Sequence, residues 1–175
     1  MTITVGTDTY VTEAEADTYV SENYLSTEAK LIAWEALSTA NKEIILRRST
    51  SSIEAIPIPG TKYDFNQDLS FPREVINPIP LRRNEYWYYY GGAGTVPQAV
   101  KDAQIEEALE IASPSRDSKA FEAANSGLKS FRISKVSETY KDNSASKNAG
   151  TAAYLKSVKA QQLISRYVAG SFSVR

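Results

Sequence analysis

The sequence contains no cysteine and no histidine. The usual general base, the thiolate nucleophile and the softer metal ligands are therefore missing. Neither a phosphate-binding glycine loop ending in Lys-Ser/Thr nor a Gly-x-Ser-x-Gly turn is found. We predict that the protein is not an enzyme and needs no cofactor; a Ser–Lys enzyme is a weaker alternative without a credible pair. The lack of cysteine also excludes disulfides and suits a reducing cytosol.

Long apolar runs are missing too, because none approaches the ~20 residues that a membrane span requires. The first ten residues have no basic flank and no apolar block of the kind found in signal peptides, so we expect synthesis in the cytoplasm. The length of 175 residues and the apolar share of 42% suit one domain, 1–175, with a sizeable core.

Charge is distributed unevenly, although the net charge is only −1. Residues 1–60 carry 4 basic and 9 acidic side chains, 61–113 carry 5 and 8, and 114–175 carry 11 and 4. The basic last third predicts a surface that meets an anionic partner or an acidic protein face, with a merely solvated helix face as an equal alternative.

Most of the chain is predicted to be helical. Thr12 and Glu15 have capping-box spacing, which predicts a helix from Glu13 to about Asn23. The other helices are predicted from apolar periodicity, from Ser38 as a cap and from Pro97 as a first helical residue. The remaining predicted helices are a short turn at 27–34, a long helix after Ser38 that ends at Pro57 and Pro59, 97–112, and a final amphipathic helix from Tyr154 to Val168.

The intervening segments are predicted to be less regular. They are a short strand or extended arm at 2–11, an irregular stretch at 60–95, one helical turn at 119–124, a strand or bent hairpin at 128–140, a polar linker at 142–150 and an extended tail at 170–175. The expected fold is mainly α: a small helical bundle with a minor β-element and an extended terminal arm. Within it we distinguish an aromatic loop at about 74–95 and a C-terminal helix plus tail at about 151–175.

The aromatic run at residues 86–90 (YWYYY) is the most unusual local feature. Arg82 and Arg83 lie close by in sequence. Tyrosine and tryptophan clusters are typical of protein contacts, which we rank first, ahead of local packing. Stacking of single-stranded bases ranks third.

Asp64, Asn66 and Asp68 imitate the first three ligands of a calcium-binding loop. The glycine that such a loop needs is replaced by Leu69, and its twelfth position is Val75 instead of glutamate. We therefore predict a structural loop and no metal.

Basic residues recur along the last third of the chain. They could line a channel for DNA, contact an acidic partner or solvate a helix, and their wide spacing argues against a compact, specific DNA groove. These residues are Lys129, Arg132, Lys135, Lys141, Lys147, Lys156, Lys159, Arg166 and Arg175.

Four motifs in fixed order carry a family resemblance: residues 10–19 (YVTEAEADTY), 42–54 (KEIILRRSTSSIE), 67–73 (QDLSFPR) and 96–101 (VPQAVK). Together they resemble the tailed-bacteriophage head–tail connector (adaptor or head-completion) proteins, some of whose members are labelled primosomal-type single-stranded DNA-binding proteins. The likeness covers about residues 10–140. Phe71 replaces the usual Trp, Ser49 replaces Ala, and the insert between Arg73 and Val96 is longer and more aromatic than the family pattern.

The resemblance implies a structural virion protein of the bacteriophage neck, made in the host cytoplasm. It would form a homo-oligomeric ring of about twelve subunits under the portal after DNA packaging. It would extend the DNA channel and dock the stopper or tail-terminator protein during viral assembly, with no membrane partner. A single-stranded DNA-binding accessory protein is the alternative.

Particular residues are candidates for these roles: the resemblance implies the portal contacts and the structural motif residues, whereas the aromatic and basic residue types suggest the other two sets. Candidate portal contacts are Tyr154, Lys156, Lys159, Arg166, Tyr167, Phe172 and Arg175. Candidate subunit or stopper contacts are Arg82, Arg83, Tyr86, Trp87, Tyr88, Tyr89 and Tyr90. Candidate DNA-channel residues are Lys129, Arg132 and Lys135, with non-specific DNA contact expected. Structural motif residues are Trp34, Lys42, Leu46, Gln67, Leu69, Phe71, Pro72, Arg73 and Pro97.

Overall fold

The protein is mainly α, as predicted. The structure, a computed structural model, describes residues 2–76, 87–90, 94–115, 130–133, 136–139 and 155–168. Within these ranges it contains five helices: α1 (Glu13–Asn23), α2 (Ala29–Glu35), α3 (Thr39–Glu54), α4 (Gln98–Ala112) and α5 (Val158–Ser165). None of the described helices combines the length and the apolar character that a membrane span needs.

Local capping chemistry sets the starts of three helices, α1, α3 and α5. The Thr12 hydroxyl accepts a hydrogen bond from the Glu15 N–H at 3.1 Å, and the Glu15 carboxylate accepts the Thr12 N–H at 2.7 Å, so the predicted start of α1 is confirmed. Ser38 caps α3, which is also confirmed. The final helix is shorter than predicted, because Ser157 caps it by accepting the Ala160 N–H.

Two small antiparallel sheets accompany the helices. β1 (Thr61–Lys62), β2 (Arg73–Ile76) and β3 (Trp87–Tyr90) form a three-stranded sheet in the order β1-β2-β3, which we call the aromatic sheet. β4 (Ser130–Ile133) and β5 (Val136–Thr139) pair as a hairpin and confirm the strand or hairpin predicted at 128–140.

The prediction of an irregular stretch at 60–95 is wrong where these strands form. Each strand has only two to four residues, too few to show an alternating pattern, and their stability comes from pairing across a distance in sequence. Residues 2–11 make one isolated bridge, between Val5 and Thr9, and no strand. The predicted turn at 119–124, the linker at 142–150 and the tail at 170–175 lie outside the described residues.

Helix α4 is the centre of the fold and contacts each of the other four helices. Every residue from Ala103 to Glu110 is buried, including Gln104, Glu106 and Glu107. A helix enclosed on all sides must pair its polar side chains internally, since an unpaired buried polar group is costly. Those side chains therefore join the surrounding elements to α4.

Two of these side chains hold neighbouring segments in place. The Gln104 side chain accepts the Tyr10 N–H at 2.9 Å and donates to the Leu46 carbonyl at 3.2 Å, joining the N-terminal segment to α3. Glu110 pairs with Lys30 of α2 at 2.8 Å. Each of these bonds joins elements far apart in sequence.

Glu107 performs the same role for the C-terminal helix. Its carboxylate accepts the N–H groups of Lys156 and Ser157 at 2.9–3.0 Å, at the N-terminus of α5. Helix N-termini favour negative charge, so this buried carboxylate is placed where the helix stabilises it. Apolar packing completes the attachment, since Leu155, Ala160 and Ile164 are fully buried.

Candidate nucleic-acid interface

The QDLSFPR segment, residues 67–73, forms the base of the aromatic sheet. Leu69 and Phe71 are 7% and 2% exposed and lie in the apolar core. The Glu54 carboxylate at the end of α3 accepts the Ser70 N–H and hydroxyl and also the Tyr10 hydroxyl. Burial, together with the neighbouring Glu54, raises the pKa of Tyr10, so its hydroxyl stays a donor.

The polar side chains of this segment bond to nearby backbone. Gln67 donates to the carbonyls of Leu69 and Pro72 at 2.7 and 3.0 Å. The Arg73 guanidinium donates to the carbonyls of Pro59 and Gly60 at 3.1 and 2.5 Å. The motif thus orients the chain as it enters β2. The contacts of Gln67 and Arg73 are structural, because both side chains donate to nearby backbone carbonyls.

The remaining motif residues also lie in the interior or at helix ends. The Trp34 indole N–H and the Lys42 ammonium donate to the same Asp17 carboxylate, at 2.7 and 2.8 Å. Leu46 is fully buried, and Pro97 immediately precedes α4. Their contacts stabilise the five helices α1–α5, which we call the helical body.

The loop that imitates a calcium site is organised by its own hydrogen bonds. The Asp64 carboxylate accepts the Asn66 N–H at 2.8 Å, and the Asp64 N–H donates to Gln67 at 3.0 Å. Lys62 donates to the carbonyls of Gln67 and Asp68 at 2.9 and 2.8 Å. Within the described part of the chain, no group of three or more acidic side chains gathers to hold a metal.

Phe65 stands at the tip of this loop with 96% of its surface exposed. Tyr63 beside it is 41% exposed, and a Cβ at Gly94, where φ is 76°, would stand 3.3 Å from the Tyr63 ring. The hydrogen bonds of Lys62 and Gln67 hold the connection between β1 and β2, which carries Phe65, in one conformation. The sequence interpretation missed Phe65, although an aromatic residue among Asp64, Asn66 and Asp68 was a usable signal.

Four of the five clustered aromatic residues form strand β3. β3 pairs with β2 in the register Trp87–Ile76, Tyr88–Val75, Tyr89–Glu74 and Tyr90–Arg73. It is one of the two outer strands of the order β1-β2-β3. The aromatic run is thus a strand on the same sheet as the Phe65 connection, whereas the sequence predicted a loop.

The residues directly after α5 lie beside the base of the sheet. The Tyr167 ring is 5.5 Å from the Phe71 ring, edge to face, and the Arg166 guanidinium is 5.8 Å from the Tyr167 ring. Residues 155–168 carry three basic and no acidic side chains. Tyr167, one of the candidate portal contacts, is only 7% exposed and lies in the apolar core.

The other candidate contacts divide into two groups. Lys156, Lys159 and Arg166 lie on or beside α5, and Arg132 lies on β4, opposite Ser137. The rest fall outside the described residues: Arg82, Arg83, Tyr86, Lys129, Lys135, Lys141, Lys147, Tyr154, Phe172 and Arg175.

Fold and site together define a small, mainly α domain with an aromatic sheet and a basic C-terminal helix. The chain belongs to the family described as "Putative DnaT-like ssDNA binding protein", whose model matches residues 2–175. This description names a binding protein and no catalytic activity. No curated protein matches the chain. No solved structure matches it either.

Proposed function

We propose that the protein binds single-stranded DNA through the aromatic sheet, with phosphates attracted by the basic C-terminal third. The observation that carries this proposal is the exposed Phe65 ring on the connection between β1 and β2, in the sheet that also contains the aromatic strand β3. Membership of a family described as binding single-stranded DNA supports it. The role is that of an accessory protein without catalysis.

Stacking provides the main attraction in this proposal. Every base presents a flat π-face, so aromatic side chains bind single strands with little regard to sequence. Phe65 is exposed already in the free protein, and its connection is held by the bonds of Lys62 and Gln67. A base that stacks there does not have to order a mobile loop first, which favours binding.

Charge separates the base contacts from the phosphate contacts. Asp64 and Asp68 flank Phe65 and repel phosphates, so that end of the sheet suits bases. Arg166, directly after α5, contacts the Tyr167 ring, which in turn packs against Phe71 at the base of the sheet. A single strand that crosses the sheet would place its phosphates towards this basic end.

Fluorescence anisotropy with a labelled oligothymidine at physiological salt tests the proposal. We expect micromolar or tighter binding, weakened about tenfold by Phe65→Ala, since one stacked base contributes roughly 1–3 kcal/mol. The matched control is Leu25→Ala, because Leu25 is also largely exposed, at 71%, but follows α1 in the helical body. Absence of binding, or an equal loss in both variants, would contradict the proposal.

The salt dependence of the same binding tests the phosphate contacts. Each phosphate contact contributes a slope of about −0.7 to a plot of log affinity against log salt for single strands. Arg166→Gln should reduce the slope by about that amount. An unchanged slope would mean that the phosphate contacts are not made by α5.

A head–tail connector subunit is the second candidate function. It is favoured by the order of the four sequence motifs and by exposed apolar side chains in the helical body, with Ile32 and Ile44 at 53% and 51%. Under this proposal the protein forms a ring of about twelve copies in the virion neck and contacts the portal and the stopper or tail-terminator protein. Sedimentation velocity and negative-stain electron microscopy of the purified chain test it. Closed rings would favour it, and a monomer that binds oligonucleotides would favour the first candidate.

A further inference from the structure

Glu106 in α4 is a fully buried carboxylate that receives three side-chain donors. The hydroxyls of Tyr19 and Tyr24 donate to it at 2.8 and 2.6 Å. The ammonium group of Lys159 donates at 2.5 Å. The side chain of Glu106 is 0% exposed, whereas that of Lys159 is 48% exposed. The acceptor therefore belongs to the interior, and the lysine reaches it from the surface.

The two tyrosine rings enclose the same ammonium group. Lys159 Nζ lies 5.6 Å from the centroid of the Tyr19 ring and 5.3 Å from that of the Tyr24 ring. Both distances are within the range of about 6 Å over which a ring face attracts a cation. Two aromatic faces and one carboxylate thus surround the cation.

Three different parts of the fold build this arrangement. Tyr19 lies on α1 and Tyr24 directly after it, Glu106 lies on α4, and Lys159 comes from α5. Burial and the Glu106 carboxylate raise the pKa of both tyrosines, which keeps their hydroxyls as donors. Lys159 and Glu106 form an ion pair within the described residues.

We propose that Tyr19, Tyr24 and Glu106 form a binding site for a primary alkylammonium group, and that Lys159 is its intramolecular ligand. The choice of a primary alkylammonium group as ligand follows from the shape of the site. A compact ammonium can direct one N–H at the carboxylate and its remaining surface at two ring faces, whereas a planar guanidinium presents its donors as a broad fork. The site therefore fastens α5 to α1 and α4, which is a role independent of DNA binding.

Removing the lysine tests the site by chemical rescue. Lys159→Ala leaves a buried carboxylate without its cation, which lowers the thermal midpoint. n-Propylammonium added to this variant should restore most of the lost midpoint and should saturate, since a ligand that binds only the folded state stabilises it by mass action. Sodium chloride at equal ionic strength and neutral 1-propanol should not do so.

The chain offers a control in the pair Lys101–Glu15, which is 2.8 Å long and joins a lysine to a carboxylate that is 46% exposed. Propylammonium should leave the midpoint of Lys101→Ala unchanged. Equal rescue of both variants, or rescue of Lys159→Ala no better than by sodium chloride, would overturn the proposal.

Nuclear magnetic resonance of the wild-type chain keeps the proposal testable if Lys159→Ala does not fold. Rings above an ammonium shift the neighbouring methylene protons upfield, and a hydrogen-bonded ammonium exchanges its protons slowly. We expect both signatures for Lys159, with the upfield shift reduced in Tyr24→Leu. Resonances of Lys159 equal to those of the other lysines would overturn the proposal.

Discussion

The helical body, α1–α5, and the β1–β2 connection of the aromatic sheet place two aromatic side chains, Trp34 and Phe65, in opposite ways. The body encloses its largest aromatic residue: Trp34 is 1% exposed, and its indole N–H is paired with Asp17. The sheet presents Phe65 at 96% exposure on a connection fixed by hydrogen bonds. Stability and binding are therefore assigned to different regions of the molecule. Changes in the body should reduce stability, and changes at the tip of the sheet should reduce binding.

The largest expected effect is in the body, at Glu107. Glu107→Ala leaves the buried N–H groups of Lys156 and Ser157 without their acceptor, which costs about 2–4 kcal/mol of unfolding free energy. Urea unfolding followed by circular dichroism measures the loss. The control is Glu22→Ala on the exposed side of α1. A loss equal to that of the control would contradict the role given to α4.

A smaller loss is expected where the body meets the sheet, at Tyr10. Tyr10→Phe removes the hydroxyl that donates to Glu54 and accepts the Phe71 N–H, for an expected cost of about 1–2 kcal/mol. The same unfolding experiment measures it, with Ser21→Ala as an exposed hydroxyl control. An unfolding free energy equal to that of the wild type would mean that apolar packing alone holds the QDLSFPR segment in place.

The pH dependence of stability separates two buried glutamates of the body. Burial raises the pKa of Glu107 above its ordinary 4.5, and the N–H groups of Ser157 and Lys156 offset only part of the rise. Its folded state then binds a proton more readily than the unfolded state. Its contribution is complete below about pH 4.5 and is lost as the pH rises through the folded pKa.

Glu110 should show the opposite sign. Burial raises its pKa, but Lys30 and Ser115 lower it by more, so the net shift is downward from 4.5. Its contribution is present above about pH 4.5 and is lost as the pH falls through the folded pKa. Unfolding free energies across the acid range check both signs. The advantage of wild type over Glu107→Gln should shrink as pH rises, and its advantage over Glu110→Gln should shrink as pH falls. The reverse trends would contradict these assignments.

The smallest effect on stability is expected at the tip of the sheet. Phe65→Ala should change the unfolding free energy by no more than about 0.5 kcal/mol, because the ring contributes little burial. Its effect on oligonucleotide affinity should be large, as described above. A large loss of stability would show that Phe65 packs in the folded chain and would remove the contrast between the two regions.

The sequence predicted those parts of the fold whose causes are local. The capping box of Thr12 and Glu15 located the start of α1, and Ser38 located that of α3, since a cap acts within one turn. The aromatic sheet escaped prediction because its strands are short and pair across long separations in sequence.

The candidate site was predictable only in part. Phe65 was overlooked although its neighbours Asp64, Asn66 and Asp68 were a local signal, because how exposed a side chain is depends on what packs against it in the fold. The burial of Glu106 and Glu107 escaped for the same reason, since an acidic pair on a helix normally indicates a solvated face. The aromatic run and the basic C-terminal third were evident from composition alone.

Photocrosslinking with an oligonucleotide that contains 5-iodouracil tests the proposed function most directly, because it reports which residues touch a base. The adducts, located by mass spectrometry of the digested complex, are expected on Phe65 and on the tyrosines and tryptophan of residues 87–90. Phe65→Ala should reduce the total yield. Adducts confined to the helical body, or none at a concentration that saturates binding, would contradict the assignment of the aromatic sheet as the binding surface.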